Sequence, residues 1–125
     1  MKSTVTLREG MTFDVAIDDH RFTIDAKPEH GGRDQGPSPK PLLLSALAGC
    51  AAMDVIAILR KMRVPPDAFS VSAETTLTDD HPKVFREMTV TVSVTGAVPS
   101  KKLWKAVALS PPTRILRNEK IRKAA

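Results

Sequence analysis

The sequence predicts an α+β fold, because strand-like patterns of period two flank one long apolar helical stretch. Phe13–Ile17 is one run in which apolar and polar side chains alternate, a pattern typical of half-covered strands. The stretch from Pro39 to Arg63 is instead apolar on nearly every side, and a second pair of strand patterns follows it. The 125 residues, 42% of them hydrophobic, suit a single folded domain, 1–125.

Residues 1–26 are predicted to form an antiparallel meander of three strands. Glu9-Gly10 and Asp18-Asp19-His20 interrupt the alternation and predict its two turns. Residues 27–38 follow as a loop that is dense in glycine, proline and polar side chains. A loop of this length in a small domain is often functional rather than a simple connection.

The central helix is predicted to span residues 39–63. Pro39 suits the first helical position, and Pro65-Pro66 ends the helix. Cys50, the only cysteine, lies about three turns inside this helix, among small residues. A helix that is apolar on every side must be covered all round. Because a chain of this size supplies little cover of its own, we expect a homodimer.

Leu42–Leu59 has about the minimum length for crossing a bilayer, but we expect no membrane partner. Asp54 would cost about 2.5–3.5 kcal/mol near the centre of such a span. We expect Glu74 and Asp54 to be internal ion-pair partners of Arg86 or Arg60 rather than catalytic residues. The N-terminus has no apolar stretch of the kind that a secretory signal requires, and a single cysteine forms no intramolecular disulfide. These features predict a cytoplasmic protein.

The second half of the chain is predicted to contain a hairpin, residues 68–96, and then a helix, residues 100–110. Leu103 and Val107 have the spacing of a buried helical face, with Trp104 and Ala108 as further candidates. The tail, residues 111–125, has at most a weak helical pattern.

The net charge of +5 does not indicate nucleic-acid binding. Eight of the nineteen Lys and Arg residues follow Ser100, so the excess belongs to the C-terminal quarter. With one Trp and no Tyr, the sequence is poor in the aromatic rings that stack on bases. His20, His30 and His81 share no metal-ligand spacing. We therefore expect no nucleic-acid partner, no metal and no cofactor.

The order of these elements and the segment GPSPKPLLLSALAGCAAMDVIAILRKMR, residues 36–63, resemble the OsmC-like family. This family includes the osmotically inducible and organic-hydroperoxide-resistance proteins. The resemblance extends from residue 1 to about residue 110 and has these specific parts: Gly36-Pro37-Ser38-Pro39, Leu42-Leu43-Leu44, Ala48-Gly49-Cys50, Met53-Asp54-Val55 and Pro82 to Phe85. It implies an intertwined homodimer whose antiparallel sheets wrap around long central helices.

The resemblance also implies a reactive thiol at Cys50. In the peroxidases of the family, this thiol attacks a hydroperoxide and becomes a sulfenic acid, which a second cysteine resolves. An arginine and a glutamate assist it. Arg33, in the loop before the helix, is the nearest candidate for the arginine, and Arg8, Arg21 and Arg86 are the alternatives.

Two helpers implied by the resemblance are absent from the sequence. Lys40 stands at the position of the glutamate and reverses its charge. Pro111-Pro112 follow where the resolving cysteine is expected, and the sequence has no second cysteine. The tail from Pro111 does not resemble the family, so we expect the family's further C-terminal strand to be missing from this chain.

These features favour a one-cysteine redox protein that reduces organic hydroperoxides in oxidative-stress defence, with an external thiol as reductant. Only about 3% of an unperturbed cysteine is ionised at pH 7, so a peroxidatic Cys50 needs a cation such as Arg33. An inert, buried Cys50 is the alternative interpretation. Under this alternative, the protein is either a dimer that binds a small hydrophobic ligand or a family scaffold without peroxidase activity. Whether it is an enzyme stays open at this level.

Overall fold

The computed structural model describes residues 1–79, 81, 84–110 and 118–124, the last of these ranges through its backbone alone. The helices and strands occur in this order: β1 (Ser3–Glu9), β2 (Thr12–Ile17), β3 (His20–Ile24), α1 (Pro39–Lys61), β4 (Ala68–Leu77), β5 (Phe85–Thr95), α2 (Ser100–Leu109) and β6 (Asn118–Ala124). Two three-stranded sheets and two helices confirm the predicted α+β class. The chain folds into two compact units, residues 1–43 and 44–125.

The first unit is built on an antiparallel sheet in which β1, β2 and β3 lie in chain order. Gly10 and Asp18 adopt positive φ angles in the two tight turns that join these strands. Val5 pairs with Val15, and Val15 pairs with Phe22, so their side chains share one face of the sheet. Val15 is 5% exposed, whereas Val5 is 52% and Phe22 is 38% exposed. Part of this apolar face therefore contacts solvent within a single chain.

The segment between β3 and α1 is tied to the end of β3. The amide of Asp25 donates a hydrogen bond to the carbonyl oxygen of Pro37 at 3.2 Å. A Cβ added to Gly36 would fall 2.1 Å from the carbonyl oxygen of Thr23. Because every other residue carries that Cβ, only glycine allows this close backbone approach. The two ends of the loop are thus held together.

The second unit has its core between the sheet and the two helices. β4 and β5 form a long antiparallel pair, as the hairpin pattern predicts. One cluster of side chains, none more than 2% exposed, joins α1, β5 and α2: Val55, Leu59, Val92, Val94, Val98, Leu103, Ala106 and Val107. Full burial of a Val or Leu side chain stabilises a fold by about 1.5–3 kcal/mol, so this cluster is the main support of the unit.

The buried face of α2 is narrower than the sequence pattern suggests. Leu103 and Val107 are buried as predicted, and Ala106 joins them. Trp104, at 51% exposure, and Ala108 face solvent in the single chain. The helical period explains the difference, because the buried stripe is centred on Leu103 and Trp104 lies about 100° further round the helix.

The end of the chain corrects the prediction that the family's further strand is missing. β6 lies within the tail, residues 111–125, and pairs in parallel with β5. Parallel neighbours need a crossover connection, which includes α2 here. The basic residues Lys120, Arg122 and Lys123 conceal the strand pattern, because charged residues are common on edge strands. Residues 111–117 lie outside the described residues.

Within one chain, α1 is covered on one face only. Its buried residues, Ala48, Ala51, Val55 and Leu59, recur every three or four positions. By length and composition α1 could cross a membrane, but the core helix of a soluble protein has the same properties. Only 22% of the residues in its apolar stretch are buried within one chain, so the cover that the sequence predicts on every side of α1 is incomplete.

Candidate functional site

Cys50 lies on the exposed face of α1, about three turns from the helix N-terminus. Ala46, Met53 and Ala57 are exposed beside it, at the three- and four-residue spacing that places side chains on one helical stripe. These four residues are called the Cys50 stripe. Met53 is 75% exposed. The stripe presents an accessible thiol in apolar surroundings.

One turn beyond Cys50, Asp54 connects α1 to the end of α2. The hydroxyl of Ser110 donates a hydrogen bond to Oδ2 of Asp54 at 3.3 Å, and Ser110 is fully buried. The sequence pattern predicted Arg60 or Arg86 as the partner of Asp54, and the structure places this hydroxyl there instead. The C-terminal end of α2 therefore contacts the helical turn that follows the thiol.

Arg33 belongs to the first unit, in the loop between β3 and α1, and its guanidinium pairs with the carboxylate of Glu9. Glu9 is the last residue of β1. The side chains are 52% and 64% exposed, respectively. An open cavity of about 240 Å³ lies beside them, lined by the β1–β2 turn and by Gly31–Arg33. Arg33 and Cys50 thus belong to different compact units.

The ion pair shifts the pKa of both partners. The hydrogen bond from Arg33, and then its positive charge, hold the pKa of Glu9 below its ordinary value of 4.5, with a smaller contribution from Arg8. The hydrogen bond with Glu9 and its negative charge raise the pKa of Arg33, and Asp25 adds to this effect. Glu9 is therefore a carboxylate and Arg33 a guanidinium throughout the neutral range.

Asp25, directly after β3, is a buried carboxylate that accepts several hydrogen bonds. Thr12 Oγ1 donates at 2.9 Å, and the amides of Ala26 and Gln35 donate at 2.7 and 3.3 Å. Burial acts to raise the pKa of Asp25, but these donors and the amide of Arg33 together hold it below the ordinary value. Because Asp25 is only 2% exposed, it is a fixed anchor for the loop that carries Arg33.

The arginines considered as alternatives lie on strands. Arg8 pairs with Asp14 between β1 and β2, and Arg86 of β5 pairs with Asp79 at 3.0 Å. Arg21 is exposed on β3. Both ion pairs are at the surface, where such pairs contribute little to stability.

The resemblance implies a glutamate and a second cysteine that the sequence lacks, and the structure describes only the position of the glutamate. Lys40 is exposed in the first turn of α1. Pro111-Pro112 lie outside the described residues, as does Pro82, which belongs to the sequence resemblance. Since Cys50 is the only cysteine of the sequence, a disulfide within the chain is excluded.

The histidines are dispersed. His20 begins β3, and His30 lies in a short 3-10 turn, Pro28–His30. Among the residues that the structure describes, no three His, Cys, Asp or Glu side chains form a group that could hold a metal ion.

Sequence reasoning missed Glu9 and Asp25. Glu9 pairs with a residue 24 positions away, and no periodic pattern connects a strand end with a loop at that distance. Asp25 carries a weak signal, since aspartate often begins a loop by accepting backbone hydrogen bonds. Its buried partner, Thr12, could not be found from the sequence.

The central part of the chain matches a known protein family. Residues 31–116 match the family model described as OsmC-like protein, and this range includes both Arg33 and Cys50. The chain belongs to the OsmC-like family. The match covers well over half of the 125 residues and confirms the resemblance seen in residues 36–63.

A relative and two solved structures agree with this assignment. Protein YhfA of Escherichia coli (strain K12) is 30% identical over 97 residues, 77% of this chain and 69% of YhfA. An OsmC like protein from Mycoplasma pneumoniae superposes with a TM-score of 0.83 at 16% identity, over 99% of this chain and 96% of that one. The organic hydroperoxide resistance protein OhrB of Bacillus subtilis gives 0.62 at 19% identity, over 99% and 98%.

The two structures show that this OsmC-like chain has the fold of the family, since at such identities the likeness concerns the fold alone. Each likeness covers nearly the whole chain, including α1. At the level of the family, membership supports a role in redox chemistry or peroxide stress.

Proposed function

We propose that this protein is a one-cysteine redox protein that reduces organic hydroperoxides, with Cys50 as the reacting thiol. One observation carries the proposal: the only cysteine lies within the family match and is exposed on α1, where an oxidant can reach it. The name of the OhrB structure, an organic hydroperoxide resistance protein, supports the choice of substrate class.

The reaction has two stages. The thiolate sulfur of Cys50 attacks the terminal oxygen of the hydroperoxide, so that an S–O bond forms while the O–O bond breaks. The alkoxide takes up a proton and leaves as an alcohol, and Cys50 becomes a sulfenic acid. An external thiol then displaces water to give a mixed disulfide, and a second external thiol releases Cys50 as the external disulfide forms. Two external thiols are needed because the chain has no second cysteine.

Arg33 is the cation that we propose to favour the thiolate of Cys50. Cys50 lies about three turns inside α1, beyond the first turn in which the helix dipole acts, so the positive charge has to come from another element. Arg33 is supported by its place within the family match and by the hydrogen-bonded loop that carries it. A positive charge beside the sulfur stabilises its ionised form.

The Cys50 stripe favours organic hydroperoxides over hydrogen peroxide. Ala46, Met53 and Ala57 surround the thiol with apolar surface. An alkyl or aryl group gains hydrophobic contact with such a surface, whereas hydrogen peroxide has no apolar part to bury.

We also propose a homodimer in which a second copy packs against Met53 and the exposed sheet face of β1–β3, and leaves Cys50 open to the oxidant at the edge of the interface. The residues of the Cys50 stripe lie three or four positions apart, which is the spacing with which helices pack against each other. Val5 and Phe22 add an uncovered sheet face in the first unit. Two intertwined copies would cover Met53 and this sheet face on each other. A dimer in the cytoplasm also has access to the external thiols that the reaction needs.

Trapping of the sulfenic acid tests the proposal. Reduced protein would receive one equivalent of cumene hydroperoxide or hydrogen peroxide in the presence of dimedone, followed by peptide mass spectrometry, with Cys50→Ser as the control. We expect a dimedone adduct on Cys50 that forms faster with cumene hydroperoxide. No adduct with either oxidant would reject the peroxidase and leave the ligand-binding alternative, in which the Cys50 stripe lines an apolar pocket.

A further inference from the structure

We infer that Glu9 and Asp25 are positioning residues for Arg33, and that Glu9 replaces the glutamate that the family resemblance leads one to expect at Lys40. The inference rests on the proposed role of Arg33 beside the thiol. Glu9 ends β1 and Asp25 is a buried carboxylate, and the sequence pattern assigns neither of them a role in positioning Arg33.

Glu9 acts on the guanidinium. The Arg33 Nη2 group donates to Oε1 of Glu9, which fixes the charged end of a side chain that otherwise has many rotamers. Lys40 cannot do this, because it carries the same charge as Arg33. An exposed ion pair by itself holds a side chain weakly, so a second constraint is needed.

Asp25 supplies that constraint on the backbone. It is 2% exposed and accepts hydrogen bonds from Thr12 and from the amides of the loop. Gly32 also lies against the loop start, where an added Cβ would fall 1.9 Å from the carbonyl oxygen of Ala26. The contacts of Asp25 and Gly32 thus fix the backbone at Arg33, and Glu9 fixes its guanidinium.

Together these contacts pre-organise the cation. A side chain held at both ends loses little further conformational entropy when it meets a developing negative charge. The resemblance assigns such orientation to one glutamate beside the helix start. In this chain the same effect would come from two carboxylates, at the ends of β1 and β3.

The experiment compares Glu9→Gln, Arg33→Gln and the double variant, with Glu29→Gln as a control at an exposed glutamate of the neighbouring 3-10 turn. The first readout is the NMR order parameter of the Arg33 Nε–H bond. We expect it to fall from about 0.8 to below about 0.6 in Glu9→Gln and to stay unchanged in Glu29→Gln. An unchanged value in Glu9→Gln would overturn the inference.

The second readout is the rate of sulfenic acid formation at Cys50 as a function of pH. We expect Glu9→Gln and Arg33→Gln each to lower the rate at pH 7 roughly tenfold, and the double variant to lose no more than Arg33→Gln alone. Additive losses would contradict the inference.

Glu9→Asp, which keeps the carboxylate, is expected to restore part of the rate. Asp25→Asn should lower the order parameter in the same way, provided that its folded state is first checked by circular dichroism. If Cys50 of the unaltered protein forms no sulfenic acid, the proposed function fails, while the order parameter still decides whether Glu9 and Asp25 hold Arg33.

Discussion

The buried hydroxyl of Ser110 donates a hydrogen bond to Oδ2 of Asp54 at 3.3 Å, one helical turn beyond Cys50. Removal of this hydroxyl in Ser110→Ala leaves a polar atom of Asp54 with one donor fewer, and we expect the free energy of unfolding to fall by about 1 kcal/mol. Urea denaturation would measure the change. Ser72→Ala, at an exposed position of β4, is the matched control and should be nearly neutral. Equal effects of the two substitutions would contradict this role of Ser110.

Asp25 predicts how stability depends on pH. Because its pKa is lowered in the folded state, its contribution to stability is present above the unfolded value near 3.8 and is lost as the pH falls through the folded value. We therefore expect Asp25→Asn to be less stable than the unaltered protein at neutral pH. The gap should narrow as the pH falls below about 4. Denaturation curves at several pH values would measure it, and a gap independent of pH would refute the prediction.

The close approach at Gly36 predicts a strong effect of a small substitution. The Cβ of Gly36→Ala would meet the carbonyl oxygen of Thr23 at 2.1 Å, so the backbone must move, at an expected cost of about 1–3 kcal/mol. Gly10→Asn is the control, because no atom lies within 4 Å of its added Cβ and asparagine tolerates the positive φ of that turn. Thermal unfolding would compare the two. A Gly36→Ala protein as stable as Gly10→Asn would show that the loop is not packed in this way.

The exposed position of Met53 tests the dimer. A carboxylate at this position in Met53→Glu would have to be buried where a second chain packs against Met53, so we expect the mass in solution to fall from twice 13.6 kDa to one chain. Val84→Glu changes another exposed apolar residue outside α1 and should keep the dimer. Light scattering at micromolar concentration would measure both. A folded monomer before any substitution would contradict the dimer outright.

Periodic patterns predicted the elements of this fold well. Alternation revealed β1, β2 and β3, and the proline pairs marked the end of the central stretch, although α1 ends at Lys61 rather than Arg63. β6 was missed because charged side chains on an edge strand leave no apolar alternation to detect, and because its parallel pairing depends on where α2 returns the chain.

The candidate site was less predictable. Cys50 and Arg33 were proposed from a resemblance, and their roles remain proposals. Glu9 and Asp25 act through contacts between residues far apart in sequence, and such contacts leave no periodic trace. Met53 is 75% exposed within one chain, so the proposed interface is where it can be covered.

The most direct test of the account is the consumption of cumene hydroperoxide by the purified protein with and without an added small thiol. We predict that hydroperoxide disappears catalytically only when the thiol is present, and that each molecule consumed yields one molecule of oxidised external disulfide. Without the thiol, consumption should stop at one equivalent per chain. Cys50→Ser should give no more than the rate of the thiol alone. Equal rates of consumption by the unaltered protein and by Cys50→Ser, with the thiol present, would contradict the central claim.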